Sequence, residues 1–167
     1  ENKYDDSYPK STNGTTGFSW GYSDREIFKK TLSVLENINE PRLDFISTQT
    51  IHEPFDFPEK EVYLNKVDSM LNASNNLSIS KQEITANKQI FASILYADSS
   101  IKTFMEAYKK RADYNNTIFV ITGDHRLIPI AQKDQLCRFN VPFIIHSPML
   151  KKTAKMNSVS SHLDFAP

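Results

Sequence analysis

Two stretches of the chain carry apolar residues at the spacing of an amphipathic helix. The first predicts a helix over about residues 24–39, with Ser23 in a capping box at its start and Pro41 after its end. Its apolar positions are Ile27, Phe28, Leu32, Leu35 and Ile38. The second predicts a longer helix over about residues 80–111, which begins at a second capping box on Ser80. Its core positions are Ile90, Ile94, Leu95, Ile101, Phe104, Met105 and Tyr108.

Three shorter runs are rich in β-branched and aromatic residues and predict strands. They cover residues 43–50, 117–121 and 141–146. Because strand, long helix and strand follow one another, they form a βαβ unit, which predicts an α/β fold with a mainly parallel sheet. Residues 1–19 are polar and predict a surface loop, and residues 56–80 predict a segment that crosses the surface.

Composition narrows the class of protein more than its activity. The 167 residues include 20 acidic and 20 basic side chains, so no overall charge favours nucleic acid or an anionic membrane surface as a partner. Cys137 is the single cysteine and excludes an internal disulfide. The chain begins without methionine and stops at Pro167, just after residues typical of a helix start. We therefore expect it to be a piece of a longer protein.

The candidate chemistry lies directly after the second predicted strand. Asp124 and His125 follow Gly123 there, at the carboxyl end where ligands bind in open α/β sheets. A carboxylate oxygen beside an imidazole nitrogen suits zinc or manganese. His52 follows the first predicted strand, and parallel strands end at one edge of a sheet. We therefore expect His52 to share a cleft with the Asp-His pair.

Several segments resemble the sulfatase branch of the alkaline phosphatase superfamily. Residues 96–104, 116–125 and 161–167 carry the general resemblance. Residues 19–24 and 48–55 are similar to segments of the lipoteichoic acid synthase and phosphoglycerol transferase group. The resemblance extends over nearly all of the chain beyond residue 17, and it implies part of an α/β/α sandwich with a mainly parallel sheet.

The resemblance implies a role for four residues. Asp124 and His125 would bind a catalytic divalent metal, Mn²⁺ or Zn²⁺, and His52 would contact the transferred phosphoryl group. Trp20 would line the pocket for the head group. Apart from the resemblance, Arg126 directly follows the metal pair and is a candidate contact for an anionic substrate. In this family a threonine attacks a phosphodiester and forms a covalent phosphothreonine, with the metal stabilising the charge.

The family's nucleophile and a further acidic metal ligand belong to the N-terminal half of that fold, and no residue of this chain matches them. The threonines at 15 and 16 lack the required setting. Two ligands cannot close a tetrahedral site, which needs four donors. We therefore expect residues 1–167 to be the C-terminal portion of one catalytic domain, with no catalytic residue of its own, inactive alone and able to self-associate.

Each candidate residue also has a simpler interpretation. Asp124 can cap a helix, and His52 can be an ordinary surface histidine. Trp20 can anchor the core, Arg126 can be solvated, and His146 is interpreted as structural.

The leading hypothesis is an extracytoplasmic, membrane-anchored phosphotransferase that transfers phosphoglycerol or phosphoethanolamine and acts on a phospholipid head group or a glycan. A sulfatase that hydrolyses sulfate esters is the first alternative. Such an enzyme would use Ca²⁺, which prefers oxygen ligands, so the histidine at position 125 favours manganese or zinc instead. Cys137 does not have the Cys-x-Pro-x-Arg context of a sulfatase nucleophile. A non-catalytic domain that keeps the fold is the second alternative.

Overall fold

The computed structural model describes residues 7–8, 10–11, 21–74, 77–130, 135–158 and 161. The described helices are α1 (Asp24–Leu35), α2 (Lys60–Ala73), α3 (Lys81–Ala86) and α4 (Lys88–Tyr108). The described strands are β1 (Lys10–Ser11), β2 (Gly21–Tyr22), β3 (Phe119–Thr122) and β4 (Phe143–His146). Short 3₁₀ turns lie at Tyr114–Asn116 and Leu136–Phe139. None of these helices is both long and apolar enough to cross a bilayer.

The central element is α4, whose two halves pack on different partners. Its N-terminal half lies against α2 and α3 in a first cluster, in which Tyr96 is fully buried between the rings of Phe57 and Tyr63. The ring centroids lie 4.9 and 5.4 Å from that of Tyr96, within the range of favourable aromatic pairs. The buried members of this first cluster are Phe57, Tyr63, Val67, Ile84, Ala92 and Tyr96.

A second cluster joins the C-terminal half of α4 to α1 and to β3. Phe28 of α1 stacks on Phe104 of α4 at 4.7 Å between centroids, and Tyr108 meets Phe119 of β3 edge to face at 5.0 Å. Leu35 completes the buried set. The start of β3 is therefore fixed against the same helix that carries the first cluster.

Both described sheets are two-stranded and antiparallel, so the expectation of a mainly parallel sheet is not met within these residues. β1 pairs with β2, and β3 pairs with β4 so that Phe119 faces His146 and Thr122 faces Phe143. The chain returns from β3 to β4 without an α-helix in its described part, and antiparallel strands do not require a helical crossover. The described residues contain both helices and strands, as an α/β fold requires, but they do not form the predicted βαβ unit.

The predicted βαβ unit is absent because residues 43–50, its expected first strand, do not form a strand. This segment runs extended but forms no ladder with any described residue. Leu43 and Phe45 are 96% and 93% exposed, whereas Ile46 packs against the second cluster. Burial along this segment does not alternate as in a half-buried strand, because only Ile46 and Thr50 turn inward, and no described strand pairs with it.

An ion-pair network ties this extended segment to the end of α4. Nη2 of Arg42 donates to Oδ2 of Asp113 at 2.8 Å and to the hydroxyl of Tyr108 at 2.9 Å. Arg111 donates from Nε to Oδ1 of Asp113 at 3.0 Å. The hydrogen bonds from Arg111, followed by those from Arg42, lower the pKa of Asp113 from 3.8 to about 2.

The helix predictions are confirmed in type and corrected in extent. α1 begins at Asp24 as expected and ends at Leu35, four residues early. The long predicted helix is divided at Asn87 into α3 and α4. Oγ of Ser80 caps α3 by accepting from the amide of Glu83 at 3.1 Å. The segment expected to cross the surface contains α2, a helix of 14 residues.

Candidate metal and substrate site

The Asp-His pair lies in the loop that leaves β3. Gly123 follows the last strand residue, and its backbone lies against Val141, at a distance where an added Cβ would make an ordinary 3.5 Å contact with that side chain. The side chain of Asp124 is 91% exposed, and the side chain of His125 is 53% exposed. The backbone amide of His125 donates to Oδ1 of Asp124 at 2.9 Å, which orients the carboxylate beside the ring.

The imidazole of His125 is held in one tautomer. Its Nδ1 lies 2.7 Å from the backbone carbonyl oxygen of Arg126. Because a carbonyl oxygen can only accept, Nδ1 carries the proton and the neutral ring keeps its lone pair on Nε2. Histidine ligands of metals are commonly fixed in this way, by donating from the nitrogen that does not bind the metal.

The donor atoms of the pair fit a shared divalent ion. Nε2 of His125 lies 3.8 Å from Oδ2 of Asp124. Two ligands of a tetrahedral ion with bonds of about 2.1 Å are roughly 3.4 Å apart, so a small rotation of either side chain is enough. Among the residues that the structure describes, no group of three or more His, Cys, Asp or Glu side chains surrounds this point. The pair therefore offers two ligands and needs others to complete a site.

Arg126 is engaged with its own loop. Its Nη1 lies within hydrogen-bond distance of three backbone carbonyl oxygens, those of Leu127, Ile128 and Ile130, at 3.2 to 3.4 Å. The guanidinium thus closes the loop that follows the Asp-His pair. A role in contacting an anionic substrate stays a prediction for this residue.

His52 lies at the tip of a tight turn that connects the extended segment to α2. The amide of Phe55 donates to the carbonyl of His52 at 2.7 Å, and the peptide bond before Pro54 is cis. The ring is exposed, and its Nδ1 lies 2.9 Å from the carbonyl oxygen of Glu53, which fixes its tautomer as in His125. That His52 shares a cleft with the Asp-His pair stays a prediction, and its premise of two parallel strand ends is not met.

The remaining candidates fall at other places. Trp20 lies outside the described residues. His146 pairs with the first residue of β3, at the opposite end from the Asp-His pair, because β3 and β4 are antiparallel. Its Nε2 is joined to the hydroxyl of Tyr114 by a hydrogen bond of 3.2 Å, and its ring packs against that of Phe119. This environment agrees with the structural interpretation of His146.

Sequence reasoning missed two residues that touch the His52 turn. Asp24 accepts from the backbone amides of Gln49 and Thr50, and Gln89 donates to the carbonyls of Pro54 and Phe55. Asp24 sits in the recognised capping box, where it reads as an ordinary first-turn acid. The sequence signal that could have drawn attention to Asp24 is its place in residues 19–24, one of the two segments that resemble the lipoteichoic acid synthase group.

Comparison with known proteins adds the following. The family model described as Sulfatase matches residues 1–167. A Bacillus subtilis (strain 168) protein named lipoteichoic acid synthase-like YvgJ is 26% identical over 148 residues, which cover 80% of this chain and 22% of that protein. Lipoteichoic acid synthase 2 of the same organism is 24% identical over 180 residues, which cover 99% of this chain and 26% of that protein. The chain thus spans about a quarter of the length of these relatives. No solved structure matches it.

Proposed function

Because the chain belongs to the sulfatase family, as its motifs indicated, we propose that it forms part of a metal-dependent phosphotransferase that works outside the cytoplasm. Two relatives carry lipoteichoic acid synthase names, which favours transfer of a phosphoglycerol or phosphoethanolamine head group over hydrolysis of a sulfate ester. The substrate class would be a phospholipid head group, with a lipid or glycan as acceptor. The relatives are much longer than this chain, so the proposal concerns the intact protein.

The observation that carries the proposal is the Asp124–His125 pair. Its carboxylate and its Nε2 lie 3.8 Å apart at the end of β3, and the other ring nitrogen is held by a backbone carbonyl. This donor set suits Mn²⁺ or Zn²⁺ better than Ca²⁺, because calcium prefers oxygen ligands alone. When bound, such an ion lowers the pKa of a nucleophilic hydroxyl and offsets negative charge on phosphoryl oxygens.

The other predicted residues have parts in the same proposal. His52 hydrogen-bonds a phosphoryl oxygen, and its rigid turn keeps the imidazole in place. Trp20 lines the head-group pocket. Arg126 keeps the metal-binding loop closed through its carbonyl contacts and contributes positive charge near an anionic substrate. The nucleophile and the further ligands come from a part of the fold that this chain does not match.

The test uses the intact protein, with turnover and metal binding measured separately. We expect Mn²⁺-dependent cleavage of bis(4-nitrophenyl) phosphate and little cleavage of 4-nitrocatechol sulfate. Asp124→Asn and His125→Ala should each weaken Mn²⁺ binding by more than about 100-fold, since even outer-shell partners of metal ligands contribute about 10- to 100-fold. Asp98→Asn is the matched control, because Asp98 is an exposed carboxylate on α4.

Three outcomes would contradict the proposal. Retained turnover in either site variant would remove Asp124 and His125 from the metal site. Preferential cleavage of the sulfate ester would favour the sulfatase alternative. An intact protein that neither binds Mn²⁺ nor cleaves the phosphodiester would leave the chain as a non-catalytic member of the family.

A further inference from the structure

A buried carboxylate holds the N-terminal side of the His52 turn. Asp24 is 1% exposed, and its Oδ1 accepts from the backbone amides of Gln49 and Thr50, both at 2.9 Å. The amide of Asp24 in turn donates to Oγ1 of Thr50 at 3.2 Å. Two backbone donors that a neighbouring strand would otherwise satisfy are therefore satisfied by the first turn of α1, where the helix dipole favours a negative charge.

A side-chain amide holds the C-terminal side of the same turn. Nε2 of Gln89, at the start of α4, donates to the carbonyl of Pro54 at 2.7 Å and to that of Phe55 at 3.0 Å. Phe55 has a positive φ of 56°, which is unfavourable for an aromatic residue. Its ring is buried, and together with the bonds to Gln89 this burial stabilises the strained conformation.

The two contacts come from one rigid unit. α1 and α4 pack on each other through the stacked rings of Phe28 and Phe104, so the turn is held at both ends by helices that keep a fixed distance. His52 lies between the two held ends, with its ring outside the core. Side chains that act in catalysis need such fixed positions, since a displacement of about 1 Å can cost on the order of 100-fold in rate.

We propose that Asp24 and Gln89 are positioning residues for His52, which they hold in the orientation that phosphoryl transfer requires. The inference rests on the proposed function in that it takes His52 as the group that contacts substrate. It goes beyond the proposed function because neither residue reaches the substrate. Their effect on rate therefore passes through the imidazole.

The test is a double-mutant cycle in the intact protein with His52→Ala, Gln89→Ala and the double variant. Gln89→Ala should lower kcat by at least about tenfold when His52 is present and change it by less than about twofold when His52 is absent. Asp24→Ala removes the acceptor of both amides, and its loss of kcat should likewise disappear in the His52→Ala background. Gln82→Ala is the matched control, because Gln82 is exposed on the neighbouring helix α3.

Equal losses in both backgrounds would overturn the inference, because Gln89 would then act independently of His52. A second measurement separates this outcome from failure of the proposed function. If the intact protein has no turnover, the proposed function fails, and the His52 imidazole is followed by NMR in the Gln89→Ala and Gln82→Ala variants. Displaced or broadened His52 resonances in Gln89→Ala alone support the positioning role, and unchanged resonances refute it.

Discussion

Replacing Asp113 with asparagine should destabilise the protein in a way that depends on pH. The carboxylate joins Arg42, which directly precedes the extended segment, to Arg111, which lies three residues after the end of α4. Hydrogen bonds from Arg111, and then from Arg42, lower its pKa from 3.8 to about 2. A difference of nearly two pKa units corresponds to about 2.5 kcal/mol of stabilisation. Because the Asp113 side chain is 30% exposed, solvent screening reduces the expected value to about 1–2 kcal/mol.

The sign of the pH dependence follows from the lowered pKa. A carboxylate whose pKa is lower in the folded state contributes its full stabilisation above the pKa of the unfolded chain and loses it as the pH falls through the folded value. Urea denaturation followed by circular dichroism should show Asp113→Asn less stable than the unmodified protein by about 1–2 kcal/mol at neutral pH. The difference should shrink below about pH 4 and be nearly absent at about pH 2.

A second ion pair provides the control. Asp68 pairs with Lys88 on the surface, and its side chain is 48% exposed. Asp68→Asn should therefore cost less than about 1 kcal/mol. A deficit for Asp113→Asn that is the same at low and neutral pH, or a neutral-pH deficit no larger than that of the control, would refute the reasoning.

Two further variants test the packing. Phe104→Ala should lower the free energy of unfolding, measured by urea denaturation, by about 3–5 kcal/mol because it removes the ring stacked on Phe28. Met70→Ala is the exposed control and should lower it little. Similar losses for the two variants would contradict the assignment of Phe104 to the core. Phe45→Ser should change the free energy of unfolding by less than about 0.5 kcal/mol, because Phe45 is exposed. It should also reduce self-association measured by analytical ultracentrifugation. Undiminished association would exclude the extended segment as the surface that associates.

Helices were predictable where apolar spacing was regular and where a cap was recognisable. α1 and α4 both have the apolar spacing, and the Ser80 cap, which begins α3, has the hydrogen bond that its sequence predicts. Ser23 does not, because its hydroxyl accepts from Tyr96, a residue that lies 73 positions away. α2 was missed although Tyr63 and Val67 have helical spacing, because charged and polar residues dominate the segment and Glu59 precedes it with a positive φ.

The sheet could not be predicted because strand pairing is a property of two segments. The β-branched and aromatic residues of 43–50 favour a strand and say nothing of its neighbour. β3 and β4 were both expected as strands. Each begins two residues later than expected, and they pair antiparallel where a mainly parallel sheet was expected. Because the pair is antiparallel, His146 lies at the opposite end of β3 from Asp124, and residue spacing along the chain could not predict this.

For the candidate site, the sequence predicted which residues to consider but not what holds them. Asp124 and His125 are neighbours in sequence, so their proximity was predictable. The tautomer of His125 depends on a backbone carbonyl. The support of the His52 turn comes from Asp24 and Gln89, each at least 25 positions from the groups it binds. Contacts over such distances depend on the packing of α1 against α4.

The division of the core into two clusters has a consequence for the order of folding. The first cluster is built from residues 57–96, a contiguous stretch, so it forms without closing a long loop. The second cluster brings Phe28 to Phe104 and therefore closes a loop of more than 70 residues. Local contacts form faster than distant ones, so we expect α2, α3 and the first half of α4 to assemble before α1 docks. The His52 turn depends on both helices and would become ordered last.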